Sequence, residues 1–279
     1  MRMPLGAAAV CAAVLQVLAT AASAGPINTI LRYPIGEPGP DSPAPVLGES
    51  PGVVFASPGF TNLARFGTGG TYTAGAPGSA FAIQFNGDGA YDYTTPGGGA
   101  NLPLPTDNFG LEMWVRVAAN YTPVGTEVLF YAGGPSGDGW GVVPIANGFV
   151  GLFGGLAIIG DPVPFTGDWT HLALVRDDGV ATLYVNGVAS GASIPTAAPS
   201  VPFAYLGLGK TPSNNLSAFF TGALDDVHVF TFEAGTFDPA TDLSFIAPIP
   251  EPTVAGLVLI ALAAGAAVAL RRRRRNPAL

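Results

Sequence analysis

From Trp169 to Gly187 the chain writes two strands and two tight turns with almost nothing between them. His171 to Arg176 is an apolar run that ends in Asp177-Asp178-Gly179, Val180 to Val185 returns, and Asn186-Gly187 turns the chain again. Asp-Gly and Asn-Gly accept positive φ, the backbone shape that a two-residue turn needs to match the twist of its strands. Antiparallel pairing is therefore dictated here, and the surrounding chain follows the same pattern. Leu111-Glu112-Met113-Trp114-Val115-Arg116-Val117 alternates, placing Leu111, Met113, Val115 and Val117 on one face. Further apolar runs at Phe81–Phe85, Val128–Tyr131, Trp140–Ile145, Tyr205–Leu208 and Ala223–Phe230 are separated by Gly, Pro, Asn and Asp. At least eight short strands over about 200 residues predict an all-β chain, folded as one two-sheet antiparallel sandwich.

The two ends obey different rules. One positive charge in Met1-Arg2-Met3-Pro4 precedes an apolar run from Leu5 to Leu18, and Ala22-Ser23-Ala24 supplies the small residues of a cleavage site. Residues 1–24 are read as a signal peptide removed by signal peptidase, with an uncleaved N-terminal anchor as the alternative. The one cysteine, Cys11, lies inside this run behind Val10, where a lipoprotein would carry a small residue. Disulfides, thiolate metal sites and cysteine nucleophiles are thus excluded from the exported part, whose stability must come from packing. Between Gly25 and Pro250 five basic residues stand against eighteen acids, a net charge near −13. That balance argues against nucleic acid and suits solubility or a divalent cation.

At the other end Val254 to Leu270 is apolar and uncharged, seventeen residues that span roughly 25 Å as a helix, the short end of what crosses a bilayer. Arg271, Arg272, Arg273, Arg274 and Arg275 follow at once and belong on the cytoplasmic side, with the domain outside. Pro250-Glu251-Pro252 precedes the apolar run, and its prolines keep that stretch extended. This order of motif, apolar helix and basic cluster over residues 250–279 resembles the PEP-CTERM sorting signal. The resemblance implies recognition by an exosortase of Gram-negative bacteria, cleavage near the motif, and a setting of cell surface, exopolysaccharide and biofilm matrix. An ordinary tail anchor is the alternative. Residues 234–249, polar and proline-bearing, are read as a linker or stalk.

Within residues 27–233 the stretches Phe81-Ala82-Ile83-Gln84-Phe85-Asn86-Gly87, Leu111 to Val115, Trp169 to Asp177, Leu183-Tyr184-Val185-Asn186-Gly187 and Gly222 to Val227 occur in order. In that order and spacing they resemble the LamG-like jelly roll of the concanavalin A-like lectin and glucanase group. The region from Arg32 to Thr73, with a proline-rich loop at Glu37 to Pro51, departs from the pattern. Glucanases of the group carry Glu-x-Asp-x-x-Glu on one strand, where alternate residues share a face. No such run exists here: Glu112 is followed by Met113 and Trp114, and strand parity sets Asp225 and Asp226 on opposite faces, with Asp225 inward beside Val227 and Val229. His171 and His228, the only histidines, sit in strands among apolar neighbours and read as hydrogen-bonded strand residues rather than ligands or bases.

The resemblance implies a Ca²⁺ ion at the sandwich rim, for which Asp88, Asp92, Asp225 and Asp226 are the candidate ligands. Asp88 as a turn residue and Asp225 as an acceptor of backbone N–H groups are the ordinary alternatives. For a sugar, which needs an aromatic platform beside polar groups, Trp140 and Tyr91 are the candidates, whereas Trp114 and Trp169 fall within family strand patterns and read as core. The expected function is that of a non-enzymatic, surface-displayed binding or adhesion module with polysaccharide as its partner. A glycan-cleaving enzyme and a structural surface protein without ligand are the alternatives.

Overall fold

A computed structural model describes residues 26–35, 44–57, 62–93, 105–133, 139–199, 205–210 and 218–244. The predicted signal peptide, Pro250-Glu251-Pro252, the apolar run 254–270 and the five arginines lie outside them. Among the described residues no helix is long and apolar enough to cross a membrane.

In chain order the strands are β1 (Asn28–Tyr33), β2 (Val53–Val54), β3 (Leu63–Gly67), β4 (Gly70–Ala74), β5 (Phe81–Asn86), β6 (Gly89–Tyr93), β7 (Phe109–Arg116), β8 (Phe130–Gly133) and β9 (Trp140–Ile145). They continue with β10 (Gly148–Phe153), β11 (Leu156–Ile159), β12 (Trp169–Asp177), β13 (Val180–Val185), β14 (Val188–Ala189), β15 (Ile194–Pro195), β16 (Tyr205–Leu208) and β17 (Thr221–Thr231), followed by one helical turn, α1 (Pro239–Asp242). They pair into two antiparallel sheets. The first runs β14-β13-β12-β7-β17-β5-β4, with β1 also on β17 and β15 on β13. The second runs β11-β10-β9-β8-β16-β6-β3-β2. The predicted all-β sandwich is what the chain forms.

The β12–β13 hairpin closes as its sequence demands. Asp177 pairs with Val180, and Asp178 and Gly179 take φ of 46° and 80° in the turn. Asn186 and Gly187 repeat this at φ of 50° and 75° between Val185 and Val188. Asn86-Gly87-Asp88-Gly89 does something else: β5 belongs to the first sheet and β6 to the second, so this turn is a corner between layers. Strands also form where the sequence departs from the family pattern. β1 lies antiparallel to β17 and buries Leu31 and Tyr33.

The core fills the space between the sheets. Phe109, Leu111, Met113 and Val115 of β7, Leu172 and Leu174 of β12, and Leu224, Val227 and Val229 of β17 meet Phe130, Trp140, Val142, Phe149 and Leu206 of the second sheet. The outer face of the first sheet is covered as well. Beyond β17 the chain folds back so that Phe232, Phe237 and Leu243 pack on Ala173, Val175 and Phe230. Residues 234–244, expected as stalk, are therefore a strap that belongs to the domain. The sequence reads as polar there because only two of its side chains, Phe237 and Leu243, join that apolar cluster.

Candidate functional site

Trp140 and Tyr91, the expected sugar platform, are both closed to solvent. Trp140 lies in the core with its ring 5.0 Å from Phe109 and 6.0 Å from Phe130. Alternation from Val142 carries it inward, and the Gly-Asp-Gly before it does not lift it out. Tyr91 sits edge-on to Phe85, and its hydroxyl donates to the Pro51 and Gly70 carbonyls and accepts from the Gly70 N–H. Neither presents a face to a ligand.

The four candidate Ca²⁺ ligands do not converge. Asp88 accepts the Thr68 hydroxyl at 2.6 Å. Asp92 is buried against the Lys210 ammonium at 2.8 Å, and that ammonium also lies 3.7 Å above the Phe66 ring. Asp226 receives the Arg32 guanidinium on both oxygens, at 2.8 and 2.9 Å. A hard cation wants six to eight oxygens around one point, and two of these carboxylates already hold a cationic side chain. Among the described residues no three His, Cys, Asp or Glu side chains gather to hold a metal. The donor set does not fit calcium.

What brings Asp225 and Asp226 together is a β-bulge. Asp225 lies opposite Trp114 and His228 opposite Glu112, so three steps along β17 cover two along β7. Asp226 absorbs the extra residue at φ 43°, a conformation Asp tolerates better than most residues. The slip reverses the parity argument. Val227 and Val229 face the core, while Asp225 faces out and, with Asp226, lines one groove.

That groove has a volume of about 640 Å³, and its walls include Arg32, Ser57, Ser79, Trp114, Asp226 and Ser244. β1 supplies Arg32 because, past the bulge, it takes the place that β5 holds beside the first half of β17. Asp225 forms the floor, accepting the Ala76 N–H on one oxygen and the Asp226 N–H on the other, both at 2.8–2.9 Å. Burial pushes its carboxyl up to about 7, with the Asp226 charge adding to the rise and the hydrogen bonds from Ala76, Ser79 and Asp226 opposing it. Trp114, read as core from its family pattern, is buried, 7% exposed, but on the outer face of its sheet, where it forms a wall of the groove.

Beside the groove lies a buried cluster whose parts looked inert in sequence. Glu112 accepts from His228 Nδ1 at 2.8 Å, His171 Nε2 at 3.2 Å, and both the N–H and hydroxyl of Ser244 at 2.8 Å. Thr29 Oγ1 lies 3.0 Å from His228 Nε2, and the Trp114 ring stands edge-on to His171 at 5.1 Å. Burial raises the Glu112 carboxyl, but hydrogen bonds from both histidines and their charge outweigh this and bring it down to about 2. A carboxylate with four donors on it and no solvent access is an anchor, not a general base. The expectation of hydrogen-bonded strand histidines holds for both.

A family model, Laminin_G_3, described as the concanavalin A-like lectin/glucanases superfamily, matches residues 86–234, more than half of the chain. No curated protein matches the chain by sequence. Among solved structures, domain 4 of AbnA, a GH43 extracellular arabinanase from Geobacillus stearothermophilus in complex with arabinotriose, is 20% identical at a TM-score of 0.47, over 66% of this chain and 89% of that one. Trypanosoma rangeli sialidase in complex with sialic acid is 16% identical at a TM-score of 0.52, over 70% of this chain and 31% of that one. The binding domain of botulinum neurotoxin serotype G is 14% identical at 0.47, over 76% of this chain and 50% of that one. At such identities the likeness is one of fold, and this chain spans under a third of the sialidase.

Proposed function

The chain belongs to the concanavalin A-like lectin/glucanase superfamily, and from that premise we propose that it is a non-enzymatic module, displayed at a bacterial cell surface, that holds polysaccharide in the groove over the β17 bulge. One observation carries the reading: the groove sets the Arg32–Asp226 fork beside Trp114 and the serine hydroxyls. Sugars are bound by such mixtures of paired charged groups, hydroxyls and an aromatic wall. The fork takes two of the roughly four acceptor positions of the Asp226 carboxylate, leaving outward lone pairs for ligand hydroxyls. Fold analogy raises this reading but does not supply a ligand, so the site has to carry it.

Delivery to the surface is proposed on the sequence alone. Residues 1–24 direct export. Residues 250–279 hold the chain in the membrane until an exosortase cuts near Pro250-Glu251-Pro252, leaving the domain at the surface or in its exopolysaccharide matrix.

A polysaccharide microarray probed with the exported domain tests the binding. Ser57→Trp fills the groove from a partly exposed position and is expected to abolish retention, with the circular dichroism spectrum unchanged. Retention that survives Ser57→Trp would remove the groove as the binding site. Release of reducing ends from the same polysaccharides would point to hydrolysis instead.

A further inference from the structure

We propose that the polysaccharide held in this groove carries primary ammonium groups, as a deacetylated hexosamine polymer does; the inference rests on the groove being the binding site. The geometry points to a missing cation. Two consecutive carboxylates, Asp225 and Asp226, line the groove, and among the described residues Arg32 is the one basic side chain on its wall. Arg32 spends two of its donors on Asp226, at 2.8 and 2.9 Å. Asp225, fully buried, is met by the N–H groups of Ala76 and Asp226 and by the Ser79 side chain, which are dipoles and not a counter-charge. Burial, with the Asp226 charge beside it, raises its proton affinity.

A third carboxylate stands behind the wall. Ser244 lines the groove and hydrogen-bonds Glu112, which stays ionised at every physiological pH. His228 and His171 face Glu112 from its other sides. Within the groove two carboxylates meet one guanidinium, while Glu112 behind the wall is balanced by the imidazoles of His228 and His171, inside walls that screen less than water. An ammonium placed there gains attraction from Asp225 and Asp226 together. A uronate, itself an anion, is repelled by the same two carboxylates, and an N-acetyl group gains nothing from charge. The hydroxyls of Ser57 and Ser79 and the Trp114 wall suit the remainder of a hexose ring.

Isothermal titration of the exported domain with three tetrasaccharides decides the matter: the glucosamine tetramer, its N-acetylated counterpart, and tetragalacturonate. The glucosamine tetramer is expected to bind about tenfold or more tighter than the acetylated one, with affinity falling as salt rises and no binding of the galacturonate. Two single-charge variants have opposite expected signs. Asp226→Asn, which tolerates the positive φ, weakens the glucosamine tetramer about tenfold, and Arg32→Gln, at a half-exposed position, tightens it severalfold. Equal or tighter binding of the acetylated or galacturonate oligomer overturns the inference while leaving the groove as a glycan site. Weaker binding of the glucosamine tetramer by Arg32→Gln overturns it in the same way. Silence with all three oligomers and with the microarray overturns both readings.

Discussion

Glu112 and Asp225 stand on paired strands of one sheet face, and burial raises the proton affinity of both carboxyls. Their partners then divide them. Histidine contacts bring Glu112 down to about 2, whereas Asp225, with the Asp226 charge beside it, settles at about 7. The consequences for stability have opposite signs. Above the ordinary carboxyl range the ionised Glu112 contributes in full, and that contribution is lost as pH falls from about 4.5 to about 2. Asp225 holds its proton more tightly when folded, so it stabilises at acid pH and loses that contribution as pH rises from about 3.8 to about 7. Urea unfolding of the exported domain should therefore show stability declining between pH 5 and pH 8 by on the order of 2–3 kcal/mol from Asp225. Asp225→Asn forfeits one acceptor at every pH, so the slope is the readout: it should flatten in the variant, and an unchanged slope would refute the assignment. Asp225 as an acceptor of backbone N–H groups was legible in the chain; the Glu112 cluster was not. Glu112 and His228 are 116 residues apart, and in sequence each stands between two apolar neighbours.

The elements differ in how far local chemistry specifies them. The β12–β13 hairpin was legible because its turn residues and alternation lie within a few positions of one another. The bulge in β17 was not, because a bulge is a mismatch of count between two strands and only one of them is in view at Asp225. The strap after β17 was hidden for a related reason. Its contacts are Phe237 and Leu243 against residues of β12 and β17, and its last polar contact is Ser244 on Glu112. α1 is held by Asp238, which caps it by accepting the Ala240 N–H at 2.9 Å, a sequence signal that marks a helical turn but not where it docks. Removing residues 233–244 should expose Phe230 and Val175 and strip Glu112 of two donors. A loss of roughly 3 kcal/mol or more is expected from the apolar area and the two hydrogen bonds. Scanning calorimetry of domains ending at Phe232 and at Ser244 measures it, and coincident transitions would return these residues to the role of stalk. Ser244→Ala keeps the backbone bond and should cost about 1 kcal/mol.

At the scale of the whole chain, the strap determines what the domain can lose. Among the described residues the last to hold it is Ser244, and Pro250 follows after five residues, 245–249. Whatever their conformation, the nine residues 245–253 between Ser244 and the apolar run reach at most about 32 Å, so a chain anchored through residues 254–270 keeps its sandwich within that distance of the bilayer. A cut near Pro250-Glu251-Pro252 then leaves every contact of the described residues, through Ser244 on Glu112, in the released domain. A binding groove over the β17 bulge gains from that release, because a polymer needs clearance to thread past a wall that includes Ser244 itself. The sorting reading therefore makes a prediction about mass as well as location. Intact-mass measurement of the protein from native cells should find a C-terminus near the motif, with Arg271 to Arg275 gone and every residue through Ser244 retained. Glu251→Ala, which alters the motif and leaves the apolar run and arginines intact, should instead accumulate the arginine-bearing form in the membrane fraction. A native protein that keeps its five arginines would reduce the tail to a permanent anchor, and the groove would then have to find its polysaccharide within reach of the membrane.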